Sequence, residues 1–284
     1  MAETNQNKVP DTGHEWDGIR ELTNPPPRWW NIAFIMSFVW LVAYIIIYPS
    51  IPLVNDYTKG VTGWTALQEY KDAVAANDAI RAPYIAKLEK MSAEEILGDQ
   101  EMKNFANSYT NALFGDRCAS CHGSNGQGVE KMFPVLNDDD WLYGGTLQDI
   151  TDTIVDGRVG FMSAFQGQLD EAEMGQLADF VLNVSSGSAT QAGWDAYNNA
   201  GCSGCHGEDA KGNKWVGAAN LTDSVWRFGS SRDDILKTIK FGVNQDGVKG
   251  TQSGVMPGFG EMLSANDIKL LTIRVWSLGG GQTE

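Results

Sequence analysis

Two copies of a Cys-x-x-Cys-His motif, Cys118-Ala119-Ser120-Cys121-His122 and Cys202-Ser203-Gly204-Cys205-His206, use all four cysteines of this 284-residue chain and two of its three histidines. Two thiols separated by two residues and followed by an imidazole form the attachment signal for c-type haem. The thiols add to the two vinyl groups and the histidine ligates the iron. A four-cysteine zinc site needs its two pairs about 15–20 residues apart, and Cys121 and Cys202 are far beyond that gap. A thioredoxin-like redox pair needs a βαβ setting, which neither motif has. The motifs therefore predict two covalently bound haem c groups, one on Cys118 and Cys121 and one on Cys202 and Cys205.

The segments that follow the motifs repeat one another. Trp141 and Trp226, Ile150 and Ile235, Ile154 and Ile239, and Gly157 and Gly242 share an offset of 85 positions, which indicates tandem duplication of one small domain. Each copy reads as α-helical. Helices over Met102–Phe114 and Gln191–Asn199 lead into the motifs, and amphipathic helices over Asp170–Val184 and Ala265–Leu278 close the two units, with Met174, Leu177, Phe180 and Val181 on one apolar stripe and Ile268, Leu271 and Val275 on the other. Domains of this size bury little surface, and a haem supplies the missing core, walled by Trp141 and Trp226.

No charged residue lies between Arg28 and Asp56. About 20 apolar residues cross a bilayer as one helix, and Trp29 and Trp30 at one end with Tyr44 and Tyr48 at the other fit the two interfacial belts. A cleaved signal peptide would have neither the polar tail that precedes this run nor Tyr-Pro-Ser-Ile-Pro after it. Arg20 and Arg28 before the span, against Lys59 after it, place the N-terminus inside. In c-type cytochromes haem is attached outside the bacterial inner membrane, which puts both motifs in the periplasm. The expected organisation is a cytoplasmic tail (1–28), a single transmembrane helix (29–54), a helical periplasmic connector (55–100) and two cytochrome c domains (101–187 and 188–284). Ser92 and Glu95 form a capping-box pattern within the connector, which holds the haem units off the membrane and carries no chemistry itself. Of the net charge of −15, the tail carries −2 and the remainder −13. An acidic exterior repels nucleic acid and attracts basic partners.

The remaining histidine, His14, lies in the tail, so neither haem is bis-histidine within this chain. Methionine is the alternative sixth ligand, a soft thioether that raises the reduction potential. Met162 and Met256 stand at matching points of the repeat, each seven residues before a helix-start leucine, Leu169 or Leu263. The position is similar to that of the distal methionine in class I c-type cytochromes. His122, Met162, His206 and Met256 are thus the expected axial ligands. Met174 belongs to a buried stripe, Met36 to the span and Met132 to a segment too near the first motif, while Met262 is the nearest rival of Met256.

This order of parts resembles the CcoP (FixP) subunit family of cbb3-type cytochrome c oxidase along nearly the whole chain. The tail from Gly13 to Trp30, with Glu15-Trp16-Asp17-Gly18-Ile19 and Asn24-Pro25-Pro26-Pro27-Arg28-Trp29-Trp30, is similar to the family's N-terminal signature, and Asn137-Asp138-Asp139-Asp140-Trp141-Leu142-Tyr143-Gly144-Gly145-Thr146-Leu147 to its first-haem segment. Pro26 stands in place of the usual leucine, Phe161-Met162-Ser163 lacks the family's Met-Pro pairing, and only one span is present. The resemblance implies an all-α fold, one transmembrane helix followed by two tandem class I cytochrome c domains. It implies a non-catalytic electron-transfer subunit of an enzyme that reduces oxygen to water. Electrons would come from a cytochrome c donor and pass through the two haems to a monohaem cytochrome c subunit and the haem–copper catalytic subunit.

Three other readings carry distinct consequences. An anchored dihaem cytochrome serving another respiratory dehydrogenase or reductase would not co-purify with haem–copper subunits. A dihaem peroxidase needs an open distal site, against the two methionine loops. A haem-based sensor needs an output domain, and the tail is too short for one.

Overall fold

A computed structural model describes residues 10–283, so the first nine residues of the expected tail and Glu284 lie outside the described residues. The fold is mostly helical, with two short two-stranded sheets among the described residues. Two compact units divide the chain between Arg81 and Ala82.

In the first unit, β1 (Asp11–Trp16) and β2 (Ile19–Leu22) form an antiparallel hairpin with Trp16 opposite Ile19. Asp17 (φ +49°) and Gly18 (φ +84°) make its two-residue turn, the Asp-Gly pairing that a type I′ hairpin requires. Helix α1 (Arg28–Ile47) has a mean hydropathy of 2.1 and none of its residues is buried. Its 20 residues rise about 30 Å, the thickness of the hydrocarbon layer, and apolar side chains all round a helix suit a membrane span. The helix ends at Ile47, short of the expected Val54, because the chain turns at Tyr48-Pro49 and folds back. Val61 N–H donates to Ile46 O (2.9 Å) and Thr62 Oγ1 to Ile47 O (2.8 Å), satisfying carbonyls left open at the helix end. Gly60 (φ +65°) permits this approach, since a Cβ there would collide with the Ile47 carbonyl.

Helix α2 (Ala66–Leu88) spans the division between the units. In the second unit, α3 (Ala93–Gly98) begins with the expected capping box, Ser92 and Glu95 each accepting from the other's backbone N–H. Then come α4 (Gln100–Arg117), the one-turn α5 (Ala119–His122), α6 (Leu147–Asp156), β3 (Arg158–Val159), α7 (Glu171–Ser185), α8 (Gln191–Asn199), the one-turn α9 (Ser203–His206), α10 (Arg232–Phe241), β4 (Val255–Met256) and α11 (Ala265–Trp276).

The apolar cores do not follow the expected boundary at 187/188. Helix α7 packs on α8 and α10, its Met174, Leu177, Phe180 and Val181 meeting Tyr197, Ile235 and Ile239. Phe180 lies 5.0 Å from both the Trp194 and Tyr197 rings. Helix α11, at the chain's end, packs instead on α4 and α6, placing Ile268, Leu271 and Val275 against Phe114, Ile150 and Ile154. On another face, its Leu270 and Ile273 join Leu88, Ile96, Met102 and Ala106. The physical reason is connection length. Only residues 186–190 separate α7 from α8, and so short a link makes consecutive helices neighbours. Backbone pairing also joins residues 158–166 to residues 239–256. Within it β3 pairs antiparallel with β4, Arg158 opposite Met256.

Candidate haem-binding sites

Each motif lies in a single helical turn. Cys121 N–H and His122 N–H both donate to Cys118 O (3.1 and 2.9 Å), and Cys205 and His206 repeat this on Cys202 O (3.2 and 3.0 Å). Positions i, i+3 and i+4 share one helix face, so two thiols and an imidazole are presented side by side. Gly123 (φ +74°) and Gly207 (φ +82°) end the turns.

The loops that follow fix the imidazoles. Gly128 N–H donates to His122 O and Gly212 N–H to His206 O, both at 2.8 Å. Leu136 N–H to Gly126 O (2.6 Å) and Leu221 N–H to Ala210 O (2.7 Å) close the loops. Each brings a carbonyl to a ring: His122 Nδ1 lies 3.0 Å from Pro134 O and His206 Nδ1 2.8 Å from Ala219 O. A carbonyl only accepts, so Nδ1 carries the proton and Nε2 keeps its lone pair for a metal. Burial lowers the pKa of both imidazoles, partly opposed by these carbonyls; both are neutral near pH 7. The motifs are offset by 84 positions and the carbonyls by 85. The extra residue sits in the intervening turn, where Val129 bridges Phe133 but Asn213 bridges Ala218.

The four cysteines are unpaired. Burial raises the Cys118 thiol and pushes Cys202 up to about 11. Thiolate-dependent chemistry, in zinc sites or redox pairs, needs the opposite shift. Among the described residues no three His, Cys, Asp or Glu side chains converge as a metal-binding group. Thiols placed for thioether formation beside neutral histidines fit haem c.

The expected distal methionines are half-buried, but not beside the motifs that precede them. Met162 packs on the core that contains Cys202, Tyr197, Leu221 and Trp226. Met256 lies along the end of α6, and Phe259 and Leu263 after it enter the core that holds Cys118, Leu136 and Trp141. Met262 is 56% exposed and Met132 58%. Trp141 Nε1–H donates to Gly280 O (2.7 Å), tying the C-terminal segment to the first site.

Some residues near the sites had no sequence signal. Arg158 lies over the Tyr143 ring (5.0 Å), Arg227 over Phe228 (5.2 Å) and Arg274 over Phe114 (4.9 Å). The Nε–H of each is buried without a partner among the described residues. Arg227 also acts on His122, lowering its pKa, and Arg274 acts on Cys118. Buried unpaired donors are rare in native proteins, and these three suit the carboxylates of a haem.

Comparison with known proteins agrees with this chemistry. Residues 8–55 match the family model described as the N-terminal domain of cytochrome oxidase-cbb3, FixP. Residues 109–181 and 188–272 each match that of cytochrome c oxidase, cbb3-type, subunit III, and each matched stretch holds one Cys-x-x-Cys-His motif of a haem c-binding segment. The chain is 40% identical to the cbb3-type cytochrome c oxidase subunit FixP of Azorhizobium caulinodans, covering 95% of this chain and 93% of the relative. It is 37% identical to FixP of Rhizobium meliloti and 36% to CcoP of Azospirillum brasilense, with 96% of both chains covered in each case. The chain belongs to the FixP/CcoP family, the cytochrome c subunit of cbb3-type cytochrome c oxidase.

Proposed function

We propose that this chain carries two haem c groups and is the non-catalytic electron-entry subunit of its oxidase. It takes electrons from a cytochrome c donor and relays them to the monohaem cytochrome c subunit and the haem–copper subunit, where oxygen is reduced to water. α1 anchors it in the bacterial inner membrane, with the N-terminal hairpin cytoplasmic and both motifs periplasmic. The observation that carries this reading is the matched pair of histidines, His122 and His206, each with Nδ1–H held by a backbone carbonyl and Nε2 left for iron.

When bound, haem c supplies one-electron transfer at its iron. Cys118, Cys121, Cys202 and Cys205 would hold the two groups as thioethers, and His122 and His206 would ligate the irons. Met162 and Met256 would supply soft sulfur to the irons, which would favour the ferrous state and raise the potential. Arg158 and Arg227 offer buried N–H groups to haem carboxylates. Apolar cores around Ile150 and Ile154 and around Ile235 and Ile239 include Cys118 and Cys202 at their edges. The only other histidine is His14, so the chain has no spare imidazoles for a copper or b-type haem centre. The net charge of −15 steers basic donors.

Purification through a tag on this chain in mild detergent tests the assignment. Haem b and copper should co-purify with covalent haem c, and turnover with a soluble donor should fall as ionic strength rises. Covalent haem recovered without haem b or copper would instead indicate an anchored cytochrome serving another enzyme.

A further inference from the structure

We propose that Arg274 holds the first haem, on Cys118 and Cys121, at a higher reduction potential than the second, so that a single electron shared by the pair rests on the first. This rests on the dihaem reading above, in which both irons have the same kind of ligands and ligation alone sets no such order.

The two closing helices align at an offset of 94 positions, Met174 with Ile268, Leu177 with Leu271 and Val181 with Val275. Their N-caps, Asp170 and Ser264, keep the same offset. Phe180 then aligns with Arg274. One position of the repeated fold is apolar in one copy and cationic in the other.

Each of these residues packs beside a different motif. Phe180 is buried against the Trp194 and Tyr197 rings, in the core whose edge includes Cys202. The Arg274 guanidinium lies 4.9 Å over the ring of Phe114, in the core whose edge includes Cys118. Phe114 O in turn accepts the Cys118 N–H at 2.8 Å, and the Arg274 charge is felt at the Cys118 thiol. The Arg274 Nε–H is buried without a partner among the described residues. A guanidinium keeps its charge at any neutral pH, so this cation is fixed.

A second buried guanidinium acts in the same sense. Arg227 stands where the first copy has Leu142, and its charge acts on His122 and Tyr143, both in the first copy. The acids particular to that copy do not cancel the two cations. Asp139 is exposed, where solvent screens it, and Asp140 lines a pocket with Lys211 and Lys214. A ferrous haem carries one positive charge fewer than a ferric one, so a fixed cation in a poorly solvated setting favours reduction.

The test is a redox titration of the full dihaem chain in detergent. Paramagnetically shifted haem methyl signals read the two haems separately, each assigned by contact with the thioether protons of Cys118 and Cys121 or of Cys202 and Cys205. At half reduction the first haem should hold most of the electron. Arg274→Gln should lower its occupancy relative to the second haem about tenfold, equivalent to about 59 mV for a one-electron couple, and leave the second haem's midpoint unmoved. Arg274→Lys keeps the charge and should retain the original order, which a purely packing role for the arginine would not produce. Should neither variant accumulate, the order of reduction in the unsubstituted chain decides. Reduction of the second haem first, or unchanged midpoints in Arg274→Gln, overturns the inference alone. Fewer than two covalent haems on the unsubstituted chain overturns the reading on which it rests.

Discussion

Met162 and Val243 exchange backbone hydrogen bonds, at 3.2 Å from Met162 N–H and 3.0 Å from Val243 N–H, across 81 positions of sequence. The neighbouring Gly242 holds φ at +66°, where a side chain would meet Met162 O. Gly242→Ala is therefore expected to destabilise the fold by about 1–3 kcal/mol and to weaken the long-wavelength Met–Fe(III) absorption of one haem. Gly247→Ala is the control, with φ +74° but open space around its Cβ; it should lower the melting temperature less and leave the absorption band intact.

Leu271 in α11 is fully buried beside Phe114, Ile150 and Ile154. Leu271→Ala should cost about 2–5 kcal/mol. Because α11 completes the core next to the first motif, local opening should appear as faster hydrogen exchange in α4 and α6, with α8 and α10 unchanged. Faster exchange in α8 and α10 instead would mean that α11 closes the second unit, as sequence order suggested.

Asp140 has its carboxyl pushed up to about 6, by burial first and then by Asp223, Asp138 and Asp139. A raised folded pKa means the folded state binds more protons than the unfolded one between pH 3.8 and about 6. Stability must then fall as pH rises through that window. Asp140→Asn removes the effect and should raise stability at pH 7, with no gain at pH 4. Denaturant midpoints of the two proteins across this range provide the check.

The Trp141 indole N–H reaches Gly280 O at 2.7 Å, and Gln282 N–H donates to Gly145 O at 2.8 Å. Trp141→Phe keeps a ring in the core but leaves the carbonyl without this donor, at a cost of about 1–3 kcal/mol. Limited proteolysis should then cut near residues 279–283 several-fold faster, while the covalent haem content stays that of the unsubstituted chain.

Local chemistry was readable from the sequence, and long-range pairing was not. The helix predicted over Gln191–Asn199 has those bounds. Those predicted from Asp170 and Ala265 begin at Glu171 and Ala265, capped by Asp170 and Ser264, because periodicity and capping act within a few residues. The motif turns and the Ser92 capping box are equally local. The partners of α7 and α11 depend instead on a five-residue link, residues 186–190, and on the β3–β4 pairing. A duplicated sequence offers each closing helix two equivalent grooves. The Asp17-Gly18 hairpin has little signal in the sequence because β1 and β2 bury almost nothing and so lack an alternating apolar pattern. Pro134 O and Ala219 O carry no side-chain signal at all, since any residue supplies a carbonyl.

Electron passage through both haems is tested most directly by anaerobic stopped-flow mixing of the purified oxidase with reduced donor cytochrome c, following the c-type and b-type absorbances separately. Reduction of haem c should precede that of haem b. Variants lacking one haem, Cys118→Ala/Cys121→Ala or Cys202→Ala/Cys205→Ala, should slow haem b reduction at least tenfold in complexes that retain all subunits. Haem b reduced at the unsubstituted rate in both variants would contradict the account.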